Sequence, residues 1–561
     1  MRRFNIGIYR KFKEAMNRFR IDKRFISILF WLGISLCLIS SVKTNILWTP
    51  LEYKIGILAS LPLTFWLGYI LSLLSMIYGI KFDKEIIFFL KATIVFSIFM
   101  GIPSLFLKNP YDGDAYLTIK LVNNMVKNAF VNISSTFENV YEQFPFIVLF
   151  VGMLKLILGI STDSIGRYFL LLSSGITFLT LYGFMKVLSG EENFDYKSVS
   201  LSTSFGLVWM QYHMVPQSLA LFSIFILIWS ILKPKFFPWR VISIIAILAS
   251  VTNHPPSTLF ILSVLILFIL LNFIFSKSYM MEHKKYTLIS ILFGVIWISW
   301  LSYLSFGSSG IFRLMVNIIL SSFKAEEHPN YASILEGTGA KGFWENYKFF
   351  IRSYYGLTGA IRTFSFLFNA FLSSILLFIL SIWKNKFNRF NILGISWLIS
   401  GAIFIFFSLF KQLHLNMGDR GYLFFYILTI PIILAGLGNI KLSTFKRKAI
   451  LAVLIICVLG NALTKFRDSN QYIIPDQRLV VDNFLYQKGE RQPIITYNLS
   501  DSDSFERRHI SYIAFIDRYS ELWARLSYGQ FKKGIDLYYK KFKRGIKFYN
   551  GGIITLVYMP F

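Results

Sequence analysis

Hydrophobic positions occur along the chain in long runs that short polar segments separate. A membrane-spanning helix needs about 20 consecutive apolar residues, and most of the runs approach that length. The pattern therefore predicts an all-α polytopic membrane protein. The runs cover 25–41, 55–79, 85–107, 144–160, 165–186, 199–212, 215–232, 239–253, 257–276, 286–306, 364–383, 391–410, 420–438 and 450–464.

The polar segments between the runs differ in charge, which predicts the side of the membrane on which each one lies. Lys and Arg concentrate in cytoplasmic loops, so the basic segment 1–24 places the N-terminus in the cytoplasm. Later basic segments should share that side, and their positions leave both ends of run 144–160 outside. We therefore expect this run not to cross the membrane. The later clusters are Lys81/Lys84, Lys233/Lys235/Arg240, Lys277/Lys284/Lys285, Lys384/Lys386/Arg389 and Lys441/Lys446/Arg447/Lys448.

The other runs predict about 13 transmembrane helices within a membrane domain spanning 25–464. An odd number of crossings places residues 465–561 outside the cell membrane, opposite the N-terminus. This C-terminal region mixes polar and apolar residues and has strand-like segments at 493–497 and 553–558. We expect it to form a small extracytoplasmic α/β cap.

Composition narrows the class of protein further. Hydrophobic residues make up 55% of the chain and charged residues 16%, and the mean hydropathy is +0.56, which excludes a soluble enzyme. The net charge of +29 fits cytoplasmic loops that face anionic lipids; nucleic acid is not an expected partner, since the sequence has no recognition motif. Cys37 and Cys457 lie inside apolar runs, which excludes a disulfide framework or a zinc site.

The first external loop, residues 108–143, has the residues best suited to chemistry. Asp112 and Asp114 are separated by one glycine, directly after an apolar run. Two carboxylates at this spacing can converge on an acceptor hydroxyl as general bases, or on a divalent cation such as Mg²⁺ or Mn²⁺ as oxygen ligands. The alternative is an exposed turn, because Asn-Pro and Asp-Gly are common turn dipeptides.

The order of features around this loop resembles the GT-C superfamily of membrane glycosyltransferases. The superfamily includes oligosaccharyltransferase catalytic subunits, protein O-mannosyltransferases and lipid A aminoarabinose transferases. The resemblance spans roughly residues 80–465 and is carried by Asp112, Asp114, the segment Glu142–Pro145 and Arg167. Two additional helices ahead of the loop depart from the usual layout of the superfamily. The resemblance implies a sugar donor linked to a polyprenyl phosphate, and it covers both metal-dependent and metal-free enzymes.

Other polar residues fall on the same predicted outer side and become candidate substrate-binding groups. An arginine at the start of a span can clamp a phosphate, although it can equally well reach the membrane interface without binding substrate. A histidine beside proline or aromatic residues at a helix end is often a cap. The resemblance also assigns the external loop 307–363 to covering the donor lipid. The candidates are Glu142, His213, Gln217, His254, Lys411 and Arg420.

Three functions fit these features. The first is a hexosyltransferase of the cell envelope that transfers a sugar from a polyprenyl-phosphate donor to a protein or glycan acceptor on the outer face. The second is a polysaccharide polymerase or ligase that would use the same donors but rely on Arg and His instead of Asp. The third is a lipid or solute transporter, which the near absence of charges within the runs disfavours.

Overall fold

The computed structural model describes the helical core and a few C-terminal strands. The described residues are 23–44, 46, 56–111, 113–129, 144–190, 194–207, 214–232, 237–275, 280–307, 356–383, 388–408, 417–440, 443–465, 495–496, 512–517, 546–550 and 554–559.

Within these ranges the chain forms sixteen α-helices, and the predicted apolar runs all contain helix. The helices are α1 (Lys23–Lys43), α2 (Leu63–Phe82), α3 (Glu85–Met100), α4 (Ile102–Phe106), α5 (Gly113–Asn128), α6 (Phe146–Leu158), α7 (Thr162–Ser189), α8 (Tyr196–Gly206), α9 (Pro216–Leu232), α10 (Phe237–Val251), α11 (Pro255–Phe275), α12 (Met280–Gly307), α13 (Gly356–Phe378), α14 (Arg389–Ser408), α15 (Met417–Asn439) and α16 (Thr444–Thr464).

Proline and glycine positions explain where the helices depart from the predicted runs. Run 85–107 divides into α3 and α4 at Gly101, and Pro103 lies in the first turn of α4. In run 199–212, α8 ends at Gly206, and residues 208–213 lie outside the described residues. Pro216 is the first residue of α9, a position at which its missing N–H costs no helical hydrogen bond.

The described helices are those of a membrane protein. Six of them are long and apolar enough to cross a bilayer, and six further apolar helices are shorter. The six long spans are Arg24–Lys43, Leu63–Ile80, Thr162–Ser189, Pro255–Phe275, Ala360–Ser381 and Thr444–Thr464. The count of thirteen crossings, the orientation of the termini and the cell membrane as location stay predictions.

Helices α1 and α2 pack against each other through small residues. A Cβ atom added at Gly68 would lie 2.6 Å from the carbonyl oxygen of Gly33, so the two backbones approach too closely for any larger residue. Ser72 Oγ donates to the Phe30 carbonyl at 3.2 Å, and Ser75 Oγ donates to the Ile26 carbonyl. Small residues and hydroxyl groups of this kind commonly hold helices together inside membranes.

One end of the bundle is defined by ion pairs. Lys91 Nζ lies 2.8 Å from Asp83 Oδ2, and both side chains are largely buried. Nearby, Lys186 Nζ lies 2.6 Å from Glu85 Oε1, and this hydrogen bond holds the pKa of Glu85 below its ordinary value. Lys197 Nζ donates to the Ile80 carbonyl at 3.2 Å. We call this the charged end; the sequence predicts that it faces the cytoplasm.

The described strands lie in the C-terminal region. They are β1 (Ile495–Thr496), β2 (Tyr512–Asp517), β3 (Ile546–Asn550) and β4 (Ile554–Met559), and they form one sheet in the order β1-β2-β4-β3. β1 is parallel to β2, and β4 is antiparallel to both β2 and β3. β1 and β4 fall in the two segments with strand-like sequence, whereas the α/β character of the whole region and its side of the membrane stay predictions.

Candidate functional site

A small hydrophobic cluster lies at the opposite end of the bundle from the ion pairs. It joins the amphipathic helix α5, the short helix α6 and the beginnings of α7 and α9. Its buried members include Ala115 and Val122 from α5, Val148 from α6, Phe169 from α7 and Leu219 from α9. We call this part of the molecule the loop end, because the predicted catalytic loop leads into it.

Hydrogen bonds tie both ends of α6 to the loop end. At its beginning, the Phe146 N–H donates to the Thr252 carbonyl, just after α10, at 3.1 Å. Near its other end, Lys155 Nζ donates to Asn123 Oδ1 at 2.8 Å, and the Thr162 hydroxyl donates to the same oxygen at 2.6 Å. Thirteen residues make a helix of about 20 Å, shorter than the roughly 30 Å of hydrocarbon in a bilayer. These contacts support the prediction that run 144–160 does not cross.

The two aspartates of the first external loop fall at the start of α5. Asp114 is the second residue of that helix, whereas Asp112 lies outside the described residues. One turn further along, Thr118 Oγ1 donates to the Met214 carbonyl at 3.1 Å and fixes α5 against the segment that precedes α9. The structure therefore anchors the backbone that carries Asp114 at the loop end. It does not describe the carboxylate itself.

His254 and Gln217 reach the same end of the bundle. The carbonyl oxygen of His254 accepts the N–H groups of Ser257 and Thr258, both at 3.1 Å, so His254 occupies the N-cap position of α11. Its Nδ1 also lies 2.6 Å from Ser257 Oγ. Gln217 is buried in the first turn of α9. Three other predicted site residues lie outside the described residues: Glu142, His213 and Lys411.

Arg420 belongs to the first turn of α15, and two further cations lie at the ends of the neighbouring helices α13 and α16. Arg362 on α13 is 5% exposed, and Lys465, the residue that follows α16, is fully buried. Arg362 Nε donates to Thr464 Oγ1 at 3.3 Å, and Arg362 Nη2 donates to the Lys465 carbonyl at 3.3 Å and to the Thr464 carbonyl. The Arg362 guanidinium thus caps the C-terminal end of α16, where the helix dipole favours positive charge.

Hydrogen bonds among three buried side chains fix how far α13, α15 and α16 are shifted along their axes relative to one another. We call this group of side chains the polar tie. The Tyr426 hydroxyl on α15 lies 3.2 Å from Asn369 Nδ2 on α13 and 3.2 Å from Asn461 Nδ2 on α16. A second contact, between Leu376 on α13 and Gly436 on α15, shows that these two helices run in the same direction.

The height of each cation follows from this tie. Arg362 precedes Asn369 by seven residues and Arg420 precedes Tyr426 by six, which are rises of about 10 Å and about 9 Å at 1.5 Å per residue. Lys465 follows Asn461 by four residues on the antiparallel helix, about 6 Å in the same direction. These three rises agree to within about 4 Å, so the backbones of the three cations lie at similar heights in the bundle. We call Arg362, Arg420 and Lys465 the cation level.

The cation level lies toward the loop end of the bundle. Lys465 Nζ is 5.9 Å from the ring centroid of Phe96, in the second half of α3. A Cβ added at Gly101, directly after α3, would meet Leu171 in the first half of α7, whose beginning belongs to the loop end. The Asp83 and Glu85 ion pairs are at the other end of α3. The start of α5, which carries Asp114, and the cation level are therefore on the same side of the bundle.

Burial shapes the electrostatics of this level. Burial lowers the pKa of the Lys465 ammonium well below its ordinary value, and the nearby charge of Arg362 lowers the pKa further. An anion close to Lys465 would oppose both effects by stabilising the charged form. Binding of a phosphate at this level would therefore favour the protonated form of Lys465.

Sequence reasoning missed several of these residues. Arg362 was assigned only to the long external loop, Lys465 only to the start of the C-terminal region, and the Asn369–Tyr426–Asn461 tie was not considered. A signal was present for Arg362 and Lys465, since each is a cation at the boundary of an apolar run. No signal in the sequence indicated that Arg362 and Lys465 lie close together, because about a hundred residues separate them along the chain.

Among the described side chains, no three His, Cys, Asp or Glu residues come together as metal ligands. Asp112 and the carboxylate of Asp114 lie outside the described part of the chain. Metal dependence stays a prediction that rests on these two residues.

Comparison with protein-family models and with curated proteins found no match to this chain.

Proposed function

We propose that this protein is a membrane glycosyltransferase that transfers a sugar from a polyprenyl-phosphate donor to a protein or glycan acceptor on the outer face of the membrane. The observation that carries the proposal is the cation level. Arg362 on α13, Arg420 on α15 and Lys465 directly after α16 lie at similar heights in the bundle. A lipid-linked phosphate has the two properties that such a place selects, a hydrocarbon chain and a negative charge.

The donor phosphate is the leaving group in this reaction, and it gains negative charge as the bond to the sugar breaks. A guanidinium at Arg420 can donate two parallel hydrogen bonds to the phosphate oxygens, and Lys465 can add a point charge. Positive charges held in place before the reaction stabilise this developing charge without further reorganisation. The polyprenyl chain would lie against the lipid-facing surface of the bundle.

The acceptor must lose a proton while the new bond to the sugar forms. We assign this step to Asp114, with Asp112 as its partner, because the start of α5 is anchored at the same end of the bundle as the cations. The acceptor oxygen attacks the anomeric carbon, the carbon–oxygen bond to phosphate breaks, and the proton passes to the aspartate. If a divalent cation takes part, the same two carboxylates would hold it.

The same cations favour one alternative, a polysaccharide polymerase or ligase that uses lipid-linked donors without a carboxylate base. The two proposals differ in what they require of Asp114. A glycosyltransferase of the first kind loses transfer when that charge is removed, whereas the alternative retains it.

The test uses the full-length protein in lipid nanodiscs with radiolabelled undecaprenyl-phosphoryl sugars and a membrane extract as the source of acceptors. We expect Asp114→Asn to abolish transfer of label while leaving donor binding intact. Arg420→Lys should slow transfer by about 10- to 100-fold, since roughly 1.4 kcal/mol of lost transition-state stabilisation is tenfold in rate. Arg389→Lys, which changes a cation at the predicted cytoplasmic end, is the matched control and should leave the rate unchanged.

Two results would overturn the proposal. One is that the wild-type protein neither binds the labelled lipids nor releases sugar from any of them. The other is that both Asp114→Asn and Arg420→Lys transfer sugar at the rate of the control. Loss of transfer in Arg420→Lys with full activity in Asp114→Asn would favour the polymerase or ligase.

A further inference from the structure

The last turn of α10 and the segment that joins it to α11 contain buried polar side-chain atoms that no described residue satisfies. Asn253 is 1% exposed and Ser250 is 5% exposed. Neither Asn253 Oδ1, Asn253 Nδ2 nor Ser250 Oγ makes a hydrogen bond within the described part of the chain. Buried polar groups without partners cost free energy, so a group of three such atoms in one turn indicates a place where a ligand supplies the missing bonds.

The backbone of this turn is held without help from these side chains. The Asn253 N–H donates to the Ser250 carbonyl at 3.3 Å, and that carbonyl also accepts from Thr258 Oγ1 at 2.6 Å. The His254 carbonyl accepts the first helical hydrogen bonds of α11, as described above. The shape of the turn is therefore fixed in advance, and the Asn253 amide is not needed to stabilise it. A side chain preorganised in this way loses little freedom when a ligand binds.

Ser250 and Asn253 lie close together at the end of α10. Ser250 is in the last turn of the helix, which ends at Val251, and the hydrogen bond from the Asn253 N–H to the Ser250 carbonyl keeps the two residues one turn apart. The neighbouring Thr252 carbonyl accepts the first N–H of α6, which brings that helix against the turn. Gln217, buried in the first turn of α9, is at the same end of the bundle. We call Ser250 and Asn253 the polar turn; it belongs to the loop end, as α5 does.

The atoms of the polar turn select a particular ligand chemistry. The Asn253 amide offers donors on Nδ2 and an acceptor on Oδ1, and the Ser250 hydroxyl can do both. A phosphate or carboxylate only accepts and would leave Oδ1 unpaired, whereas a metal ion would leave Nδ2 unpaired. Adjacent hydroxyl groups each donate and accept, so they satisfy all three atoms at once.

We propose that the polar turn binds the hydroxyl groups of a sugar ring and so contributes to sugar recognition. This inference rests on the proposed function, which makes the donor sugar the ligand that reaches the loop end. In that arrangement the cations hold the phosphate and the polar turn holds the ring. The Asn253 amide then discriminates sugars by the position of their hydroxyls, because a misplaced hydroxyl leaves the buried amide unpaired.

The experiment separates binding of the sugar from binding of the lipid phosphate. The full-length protein in nanodiscs is titrated with undecaprenyl phosphate and, in parallel, with undecaprenyl phosphate bearing glucose, galactose or mannose. We expect at least one sugar-bearing lipid to bind about tenfold or more tightly than the bare lipid. Asn253→Leu keeps the approximate size of the side chain and removes both polar atoms, and it should eliminate this gain while leaving the bare lipid bound as before.

A second readout distinguishes recognition from a structural role. Removing an unsatisfied buried amide should raise the thermal stability of Asn253→Leu in the absence of ligand, whereas an amide needed for folding would lower it. Ser250→Ala, a smaller change, should reduce the sugar-dependent gain by about threefold or more. Asn272→Leu on the following helix, α11, is the matched control: Asn272 Nδ2 already donates to the Phe268 carbonyl, so the gain should be unaffected.

Each outcome decides one proposal. A sugar-dependent gain that survives in both Asn253→Leu and Ser250→Ala overturns the inference and indicates that the turn holds only ordered water. Equal binding of bare and sugar-bearing lipids by the wild type also overturns it, while leaving the phosphate site standing. If the wild type binds none of the lipids, the proposed function fails, and the inference fails with it.

Discussion

The close approach of α1 and α2 makes a prediction about stability that does not depend on function. The perturbation is Gly68→Ala, which adds one methyl group where the two helices meet. That Cβ would lie 2.6 Å from the Gly33 carbonyl oxygen, 2.7 Å from Leu36 Cβ and 3.0 Å from the Cys37 nitrogen. Two of these neighbours are backbone atoms, so no side-chain rotation relieves the contacts and the helices must separate.

The size of the effect follows from this geometry. The shortest contact must lengthen by roughly 0.8 Å to reach an ordinary distance of 3.4 Å, and overpacking of this kind costs about 1–3 kcal/mol. Separation also lengthens the hydrogen bonds from Ser72 and Ser75 to α1, each worth about 0.6 kcal/mol in membrane helices. Ala gains about 0.5–1 kcal/mol over Gly in helix propensity. The net expectation is a loss of about 1–3 kcal/mol.

Gly294 provides the matched control because it also lies inside a helix, α12. A Cβ added there meets no described heavy atom within 4 Å. Gly294→Ala should therefore leave stability unchanged or raise it by up to about 1 kcal/mol, so the same chemical change has opposite signs at the two positions. The free energy of unfolding is measured in mixed micelles by titration with SDS, followed by tryptophan fluorescence. Equal stability of the two variants would refute the close packing of α1 against α2.

Two further predictions concern the charged end and the topology. Asp83→Asn should lower the free energy of unfolding by about 3 kcal/mol because it leaves Lys91 charged and buried, and the double variant Asp83→Asn/Lys91→Met should recover most of that loss; equal losses would contradict a coupled pair. Ser161→Cys, at an exposed position between α6 and α7, should react with a membrane-impermeant maleimide from outside intact cells, whereas Ser189→Cys should react only after permeabilisation. Labelling of Ser161→Cys from the cytoplasm alone would show that run 144–160 crosses.

The positions of the helices could be predicted from the sequence with little error. In a bilayer every backbone N–H and C=O must be satisfied within the segment, so a long apolar run has few alternatives to a helix. Each of the fourteen runs contains at least one helix. The deviations at Gly101, Gly206 and Pro216 have equally local causes. These features depend on residues that are close together in sequence.

The chain also indicated which types of residue were available for chemistry, but not which of them meet. Asp114, Gln217, His254 and Arg420 were identified one at a time, from their place beside a span. His254 lies at the N-cap position of α11, and its role in binding substrate stays a prediction. The predicted partners Asp112, Glu142, His213 and Lys411 lie outside the described residues, so their roles stay predictions.

Only the tertiary structure brought Arg362 and Lys465 together, aligned them with Arg420, and enclosed the Asn253 amide. These relations depend on which helices are neighbours and how far each is shifted along its axis. Small residues such as Gly33 and Gly68, and interhelical bonds such as Asn369 to Tyr426, decide both. Hydrophobic periodicity cannot encode that choice, because lipid is as apolar as a neighbouring helix and any face can meet either one. The sequence by itself therefore determined the elements, and packing between distant segments determined the site.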